Sequence, residues 1–281
     1  MQLTEAEIAD WRQWVGRRET ATERIEPVLL DRYAAALGER WSAATAAELP
    51  SLAHWAFFLA AVPPEKIGAD GHPVRGGFLP PVTLERRMFA ASDLRFHRSL
   101  RAGADATRHA EILSLSHKVG RASGDLILVE VGQRIEQDGA LCVEERQTLV
   151  YRGLGAATPP VEERGLAVAD GAEVWTPGPV ELFRFSAVTF NSHRIHYDQP
   201  YATGTEGYPG LVVHGPFTAA RLHGLARRLA GRPLGRFSFR AEAPLFASQP
   251  IQLSRGEQAG QVVARRADGA VAMAARYEVW A

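Results

Sequence analysis

The chain has 281 residues, 46% of them hydrophobic and 23% charged, with 32 basic side chains balanced by 32 acidic ones. That length and apolar content suffice for one large or two medium cores, and the composition excludes disorder. Zero formal charge gives no footprint for nucleic acid or an anionic membrane surface. A single cysteine, Cys142, excludes an intramolecular disulfide and fits a reducing, cytoplasmic setting.

The opening residues 1–7 are polar and acidic, with no basic stretch leading into an apolar one, so no secretory signal is expected. The longest apolar run, residues 55–62, is far too short to cross a bilayer. The first sixty residues read as helical. Thr4 with Glu7 forms a capping-box pattern, Trp11, Trp14 and Val15 recur at helical spacing, and a second helix over 27–37 ends at Gly38. The Gly- and Pro-dense stretch 68–81 is an irregular loop.

From Asp93 to Arg152 the pattern becomes that of strands, with a hairpin at Asp138-Gly139. Leu141, Val143, Glu145, Gln147, Leu149 and Tyr151 share one strand face. Residues 153–170 are polar and read as connecting chain. The C-terminal half repeats the plan, with a strand from Phe239 broken by Pro244 and a second hairpin at Asp268-Gly269, 130 positions after the first. A Phe-containing strand with a basic end precedes each hairpin, at Arg95-Phe96-His97-Arg98 and Phe237-Ser238-Phe239-Arg240. Two copies of one α+β unit are expected. In the second, Pro216 marks the first position of a helix, Leu222, Leu225, Ala226 and Leu229 form its apolar stripe, and Gly231 ends it.

The chemistry-bearing residues cluster just before that helix. Asn191, His193 and His196 fall within six positions, beside Tyr197 and Asp198. His196 can exchange protons near neutral pH, and Asn191 can orient a water or a carbonyl. The same residues also read as turn and capping residues. A metal on His193 and His196 with His214 or Asp198 is a weaker alternative, because the spacing matches no standard zinc pattern. The N–H of Gly215 stands free at the positive end of the helix and can polarise a carbonyl, whereas Pro216 has none to offer. Arg194 can pair with a carboxylate or phosphate, or remain a solvated loop residue. His54, His72, His97, His109 and His117 have no partner at useful spacing and read as structural. Residues 120–125 hold two glycines without the strand–loop–helix context of a nucleotide site.

Four blocks carry a family resemblance. They are Gly71-His72-Pro73 with Arg75-Gly76-Gly77-Phe78-Leu79-Pro80-Pro81, then Arg86-Arg87-Met88, then Val143-Glu144-Glu145 with Val150-Tyr151-Arg152. The fourth and most specific runs from Phe190 to Asp198 and from Glu206 to Pro216. Together they resemble the MaoC-like (R)-specific enoyl-thioester hydratases. The closer likeness is to the two-hotdog branch of mesaconyl-C4-CoA (3-methylfumaryl-CoA) hydratase and the type 2 hydroxyacyl-thioester dehydratases.

The resemblance implies an α+β double hotdog, with two tandem units in which an antiparallel sheet wraps a central helix. It implies a degenerate N-terminal hotdog over 1–152 forming the substrate-pocket half, a linker over 153–172, and a catalytic hotdog over 173–281. Catalytic roles fall on Asn191, His196 and Gly215, and substrate contacts on His193, Arg194, Tyr197 and His214. No cofactor and no metal are implied, and the partner is a CoA thioester. A homodimer is left open.

The general motif of the family reads Asp-x-Asn-Pro-x-His. Here Asn191 replaces the Asp, His193 the Asn and Arg194 the Pro, while His196 keeps the catalytic position. Asn cannot act as a base, so His196 carries proton transfer in this reading, and Asp198 is the nearest carboxylate in sequence. The implied reaction is addition of water to an α,β-unsaturated acyl thioester. A short branched dicarboxyl acyl group, mesaconyl or itaconyl, is the preferred substrate. A fatty-acid-type dehydratase, a hotdog thioesterase and a non-catalytic acyl-CoA-binding protein are the alternatives.

Overall fold

The computed structural model describes residues 3–43, 48–120, 124–165, 168, 169 and 171–280. Residues 121–123 of the glycine-flanked stretch, and 166, 167 and 170 of the expected linker, lie outside the described residues.

Helix α1 (Glu5–Arg12) begins as its capping box requires: the Glu7 N–H donates to Thr4 Oγ1 at 3.3 Å, and the Glu7 carboxylate accepts the Thr4 N–H at 2.9 Å. The expectation of an all-helical N-terminus fails next, because Arg18–Arg24 is a strand, β1. Its sequence is Thr-Ala-Thr between charged pairs and it forms one edge of the sheet, so neither face carries an apolar period to read. What holds it is pairing along β3, including a 2.9 Å contact between the hydroxyls of Thr22 and Thr107. Helix α2 (Pro27–Leu37) runs from a proline in its first turn to Gly38, which takes the left-handed φ of 72° that a helix C-terminus favours.

The first set of long strands is β2 (Arg86–Phe96), β3 (Asp105–Gly120), β4 (Gly124–Gln137) and β5 (Ala140–Arg152). β2 thus begins seven residues before the expected Asp93. The second half supplies β6 (Glu173–Trp175), α3 (Pro179–Val188), α4 (Gly215–Ala230), β7 (Leu234–Ala241), β8 (Ile251–Arg255), β9 (Gln261–Arg265) and β10 (Val271–Val279).

All ten strands form one antiparallel sheet in the order β1-β3-β4-β5-β2-β7-β10-β9-β8-β6. Read inward from either edge, each half follows the same path: first strand, third, fourth, fifth, second. The halves meet where β2 lies antiparallel to β7, with Leu94 opposite Phe237 and Ser92 opposite Phe239. Asp138-Gly139 joins β4 to β5, and Asp268-Gly269 joins β9 to β10, at equivalent points. The repeat inferred from those two hairpins is therefore a repeat of topology.

Helix α4 is the axis of the wrap. Its buried residues include Phe217, Ala219, Ala220, Leu222, Leu225 and Ala226. Small side chains let it lie close to its neighbours: a Cβ on Gly224 would come within 3.3 Å of Ser51 Oγ. Phe217 stacks on Phe185 of α3, centroids 4.5 Å apart, and Phe185 meets Tyr33 of α2 at 6.1 Å. Such an aromatic centre is costly to lose, about 3–5 kcal/mol for one Phe→Ala change. A second apolar cluster, Ile112, Ile127, Val129 and Tyr151, is covered by Ile8 and Trp11 of α1 and by Val82 and Leu84. The architecture is the double hotdog.

Candidate active site

The 189–214 segment joins α3 to α4 and carries every motif residue before the helix. Phe190 sits at a left-handed φ of 47°, uncommon for a non-glycine residue, and turns the chain sharply. Asn191 follows. Its N–H donates to Ser186 O at 2.9 Å, and its Oδ1 accepts the N–H of His193 at 3.0 Å. Asn191 therefore shapes the turn with its carbonyl oxygen and keeps its Nδ2 amide.

His196 is buried. Its Nδ1 lies 2.7 Å from the carbonyl oxygen of Val212, which cannot donate, so Nδ1 carries the proton. Nε2 is left with a lone pair. Its ring lies on that of His214, centroids 3.6 Å apart and planes 20° apart. Burial first, then His214 and His193, hold the protonation of His196 well below the usual histidine range. His214 is the residue before α4 and is fully buried, with Nε2 2.8 Å from Ser186 Oγ. Burial pushes its pKa down to about 3. Both rings are neutral at physiological pH.

Gly215 is the first residue of α4 and Pro216 the second, one position later than expected for the proline. The Gly215 N–H thus stays an unpaired donor at the helix N-terminus. A Cβ on Gly215 would meet only Phe89 O, at an ordinary 3.5 Å, so packing within the chain does not demand a glycine there.

The remaining motif residues divide. His193 is buried, with Nε2 3.4 Å from Glu206, and Glu206 pairs at 3.3 Å with the buried guanidinium of Arg86. A single π turn, Tyr201–Thr205, presents Glu206 to this pair. Arg194 is committed elsewhere: it binds Asp198 at 2.7 and 2.9 Å, donates to Ala69 O at 3.0 Å, and covers the Tyr201 ring. Asp198 is held below the usual carboxylate range by Arg194 and also accepts the Tyr201 N–H, so it does not stand in for the missing catalytic carboxylate. Tyr197 is exposed and donates to Ser192 O at 3.1 Å.

Sequence reasoning missed His72. The 68–81 loop crosses over and docks on the 191–194 turn. The Arg194 N–H donates to Asp70 O at 2.9 Å, and Ser192 Oγ donates to Gly71 O. A Cβ on Gly71 would lie 1.9 Å from Ser192 O, and φ there is 89°, so the contact admits glycine alone. His72 then lies against His193, centroids 4.1 Å apart and planes tilted by 38°, with Nδ1 3.1 Å from Asp70. Burial and the nearby Arg87 lower its pKa to about 3. The only advance signal was Gly71-His72-Pro73 among the resemblance blocks.

The other histidines set aside as lacking partners have acquired them across the sheet. His54 meets the buried Glu145 at 3.2 Å, and His117 meets Asp125 at 2.7 Å. Among the described residues, Asp70, His72 and His193 bring one ligand atom each within 4.8 Å of one another, close enough to hold a divalent ion. Neither trio raised from sequence, His193 and His196 with His214 or with Asp198, brings its ligand atoms that close among the described residues, and Asp198 is engaged by Arg194.

The start of α4 thus follows directly on His214, whose ring lies on that of a buried histidine with one nitrogen open, and such a helix end can hold a carbonyl oxygen. Comparison with known proteins gives the family. Residues 52–247 match the family model described as hydroxyacyl-thioester dehydratase type 2. The chain is 46% identical over 277 residues to mesaconyl-C(4)-CoA hydratase of Chloroflexus aurantiacus, covering 96% of this chain and 98% of that protein. It is 28% identical to the mitochondrial hydroxyacyl-thioester dehydratase type 2 of Schizosaccharomyces pombe, over 73% of this chain and 76% of that protein. In fold it is similar to a MaoC-like dehydratase, with TM-score 0.70, 15% identity, and 95% and 98% of the two chains covered. It is likewise similar to HtdX of Mycobacterium tuberculosis, with TM-score 0.67, 19% identity, and 93% and 99% covered. The chain belongs to the hydroxyacyl-thioester dehydratase type 2 family, whose reaction is that of a hydro-lyase.

Proposed function

We propose that the chain adds water to a short α,β-unsaturated dicarboxyl acyl-CoA, of the mesaconyl or itaconyl kind, to give the 3-hydroxyacyl thioester. The observation that carries the chemistry is an open His196 Nε2 on a ring that lies against His214, the residue just before Gly215 at the start of α4. The thioester oxygen accepts the Gly215 N–H. His196 Nε2 takes a proton from water as the oxygen adds to the β-carbon, and the alkene electrons move toward the thioester oxygen. That oxyanion is stabilised by the donor and by the helix dipole. The α-carbon then takes up a proton as the enolate collapses, so one water is added in total. The Asn191 Nδ2 amide holds the water, and the absence of a side chain at position 215 lets the thioester approach the backbone.

In this reading the 173–281 unit carries the chemistry and the 1–152 unit, which supplies Phe89 and His72, walls the acyl pocket. The dicarboxyl preference is supported by the 46% identity to a mesaconyl-C(4)-CoA hydratase. The single cysteine, buried and free, fits a cytoplasmic location, and among the described residues no helix is long and apolar enough to cross a membrane.

The test is a panel of crotonyl-, mesaconyl-, itaconyl- and longer enoyl-CoA thioesters, followed by mass spectrometry and a thiol-reactive dye. Gain of one water on the mesaconyl or itaconyl thioester, without thiol release, supports the reading. Thiol release assigns a thioesterase, and binding without turnover assigns a non-catalytic acyl-CoA-binding protein.

A further inference from the structure

Arg75 on the docking loop, Arg86 and Arg87 on β2, and Arg194 on the motif turn are arginines of the segments that meet here, and three of them are committed. Arg75 donates to the carbonyls of Val82, Leu84 and Glu85. Arg86 is buried against Glu206, and Arg194 is bound to Asp198. Arg87 is in no ion pair among the described residues.

Its position is fixed by register. Arg87 lies opposite Tyr151 and Phe89 opposite Leu149 across β2 and β5, so Arg87 and Phe89 share a face. Phe89 is the residue whose carbonyl reaches the start of α4 at Gly215. A two-residue step along a strand is about 7 Å. The Arg87 backbone therefore stands about 7 Å along β2 from the carbonyl that reaches the start of α4, within a long side chain's reach of it. Arg87 is half-buried and lies beside His72, whose ring meets His193 at 4.1 Å, and the His193 ring meets that of His196 at 5.3 Å. Tyr151, across the strand, is fully buried, and its hydroxyl is the neutral group that faces Arg87.

A half-buried guanidinium with no counter-charge calls for an anion. It binds a carboxylate in two parallel hydrogen bonds, stronger than the same pair in water. We propose that Arg87 receives the free carboxylate of the acyl group and so makes the site selective for dicarboxyl thioesters. This rests on the reading of the site as one for dicarboxyl acyl-CoA. In such a substrate a short, rigid alkene separates the thioester carbon from the carboxylate, so one end at Gly215 brings the other toward Arg87. Arg194, the residue favoured from sequence for this role, is held by Asp198 instead.

Binding of two non-reacting thioesters tests the assignment without turnover. Titration calorimetry compares methylsuccinyl-CoA, which carries the carboxylate, with butyryl-CoA, which does not. The wild-type chain is expected to prefer methylsuccinyl-CoA. Arg87→Gln should weaken that ligand about 10- to 100-fold while moving butyryl-CoA much less, and Arg87→Lys should restore part of the difference. An equal loss on both ligands would assign Arg87 to a phosphate of CoA or to structure and overturn the proposal. So would an unchanged preference in the Gln variant, or no preference in the wild type. Unfolding midpoints of the variants control for folding. The turnover panel above tests the hydratase reading separately, because binding selectivity through Arg87 stands or falls whether or not water is added.

Discussion

The imidazole of His196 lies on that of His214 with centroids 3.6 Å apart, and each ring is tied by one nitrogen, to Val212 O and to Ser186 Oγ. Two imidazoles at this distance cannot both carry charge in a buried site. The stack thus works as a device that keeps His196 neutral and its Nε2 available.

That neutrality has a pH signature in stability. His72, His196 and His214 all have folded-state pKa values lowered from the ordinary histidine value of 6.5, to about 3 for His72 and His214, with burial as the leading cause. Above pH 6.5 the rings are neutral in both the folded and unfolded chain, and their contribution is fully present. As pH falls below 6.5 the unfolded chain takes up protons that the folded chain refuses, and stability declines toward the folded pKa values. Each buried ring contributes a slope of up to about 1.4 kcal/mol per pH unit in that window. Urea unfolding at pH 7.5, 6 and 5 should show the decline, and His214→Asn should make it shallower. Catalysis should keep its rate on the acid side down to the pH at which the chain unfolds, because the base form of His196 persists.

Glu206 is a buried carboxylate at the end of the Tyr201–Thr205 turn. It pairs with Arg86, side chains 4% and 3% exposed, and contacts His193. Glu206→Gln leaves a buried guanidinium without its counter-charge, a change expected to cost about 3–5 kcal/mol. The urea midpoint should drop with the slope of the transition unchanged. A midpoint equal to wild type would show that the pair is open to water.

Gly71 is the contact on which the 68–81 loop docks. Gly71→Ala places a methyl group against the Ser192 carbonyl at 1.9 Å, with φ at 89°, and so must lift the loop away. His72 and Asp70 move with it. An ångström-scale displacement of positioning groups is worth about 100-fold in rate, so kcat/KM should fall by that order. Ser192→Ala removes only the hydroxyl bond to Gly71 O and should cost much less. Faster proteolytic nicking within 68–81 in the Gly71 variant would report the undocking directly.

Local signals made much of the architecture legible. Gly231 ends α4 in the left-handed conformation expected of it, and the two Asp-Gly turns mark the same hairpin in both halves. The edge strand β1 was not legible, because an exposed strand has no apolar period. Within the site, the cluster around His196 was visible since it lies in one short segment. His72, Glu206 and Arg87 were not singled out, because their meaning comes from contacts made far along the chain. Ser192 and Gly71 are 121 positions apart, and Arg86 and Glu206 120. Periodicity and spacing report on neighbours within a turn or a strand, and the wrap of the double hotdog is what brings these groups together. The same wrap reassigned Arg194 and Asp198, which satisfy each other one helical turn apart.

The most direct test of His196 as the proton-transfer group is the hydration rate of the best thioester in the panel, measured for wild type and His196→Ala at pH 7.5. Positioned proton transfer contributes roughly 10²- to 10⁴-fold. A fall in kcat of that size, with methylsuccinyl-CoA still bound at near wild-type affinity, is the expected result. A variant that hydrates every substrate at the wild-type rate would contradict the assignment of His196 as the base.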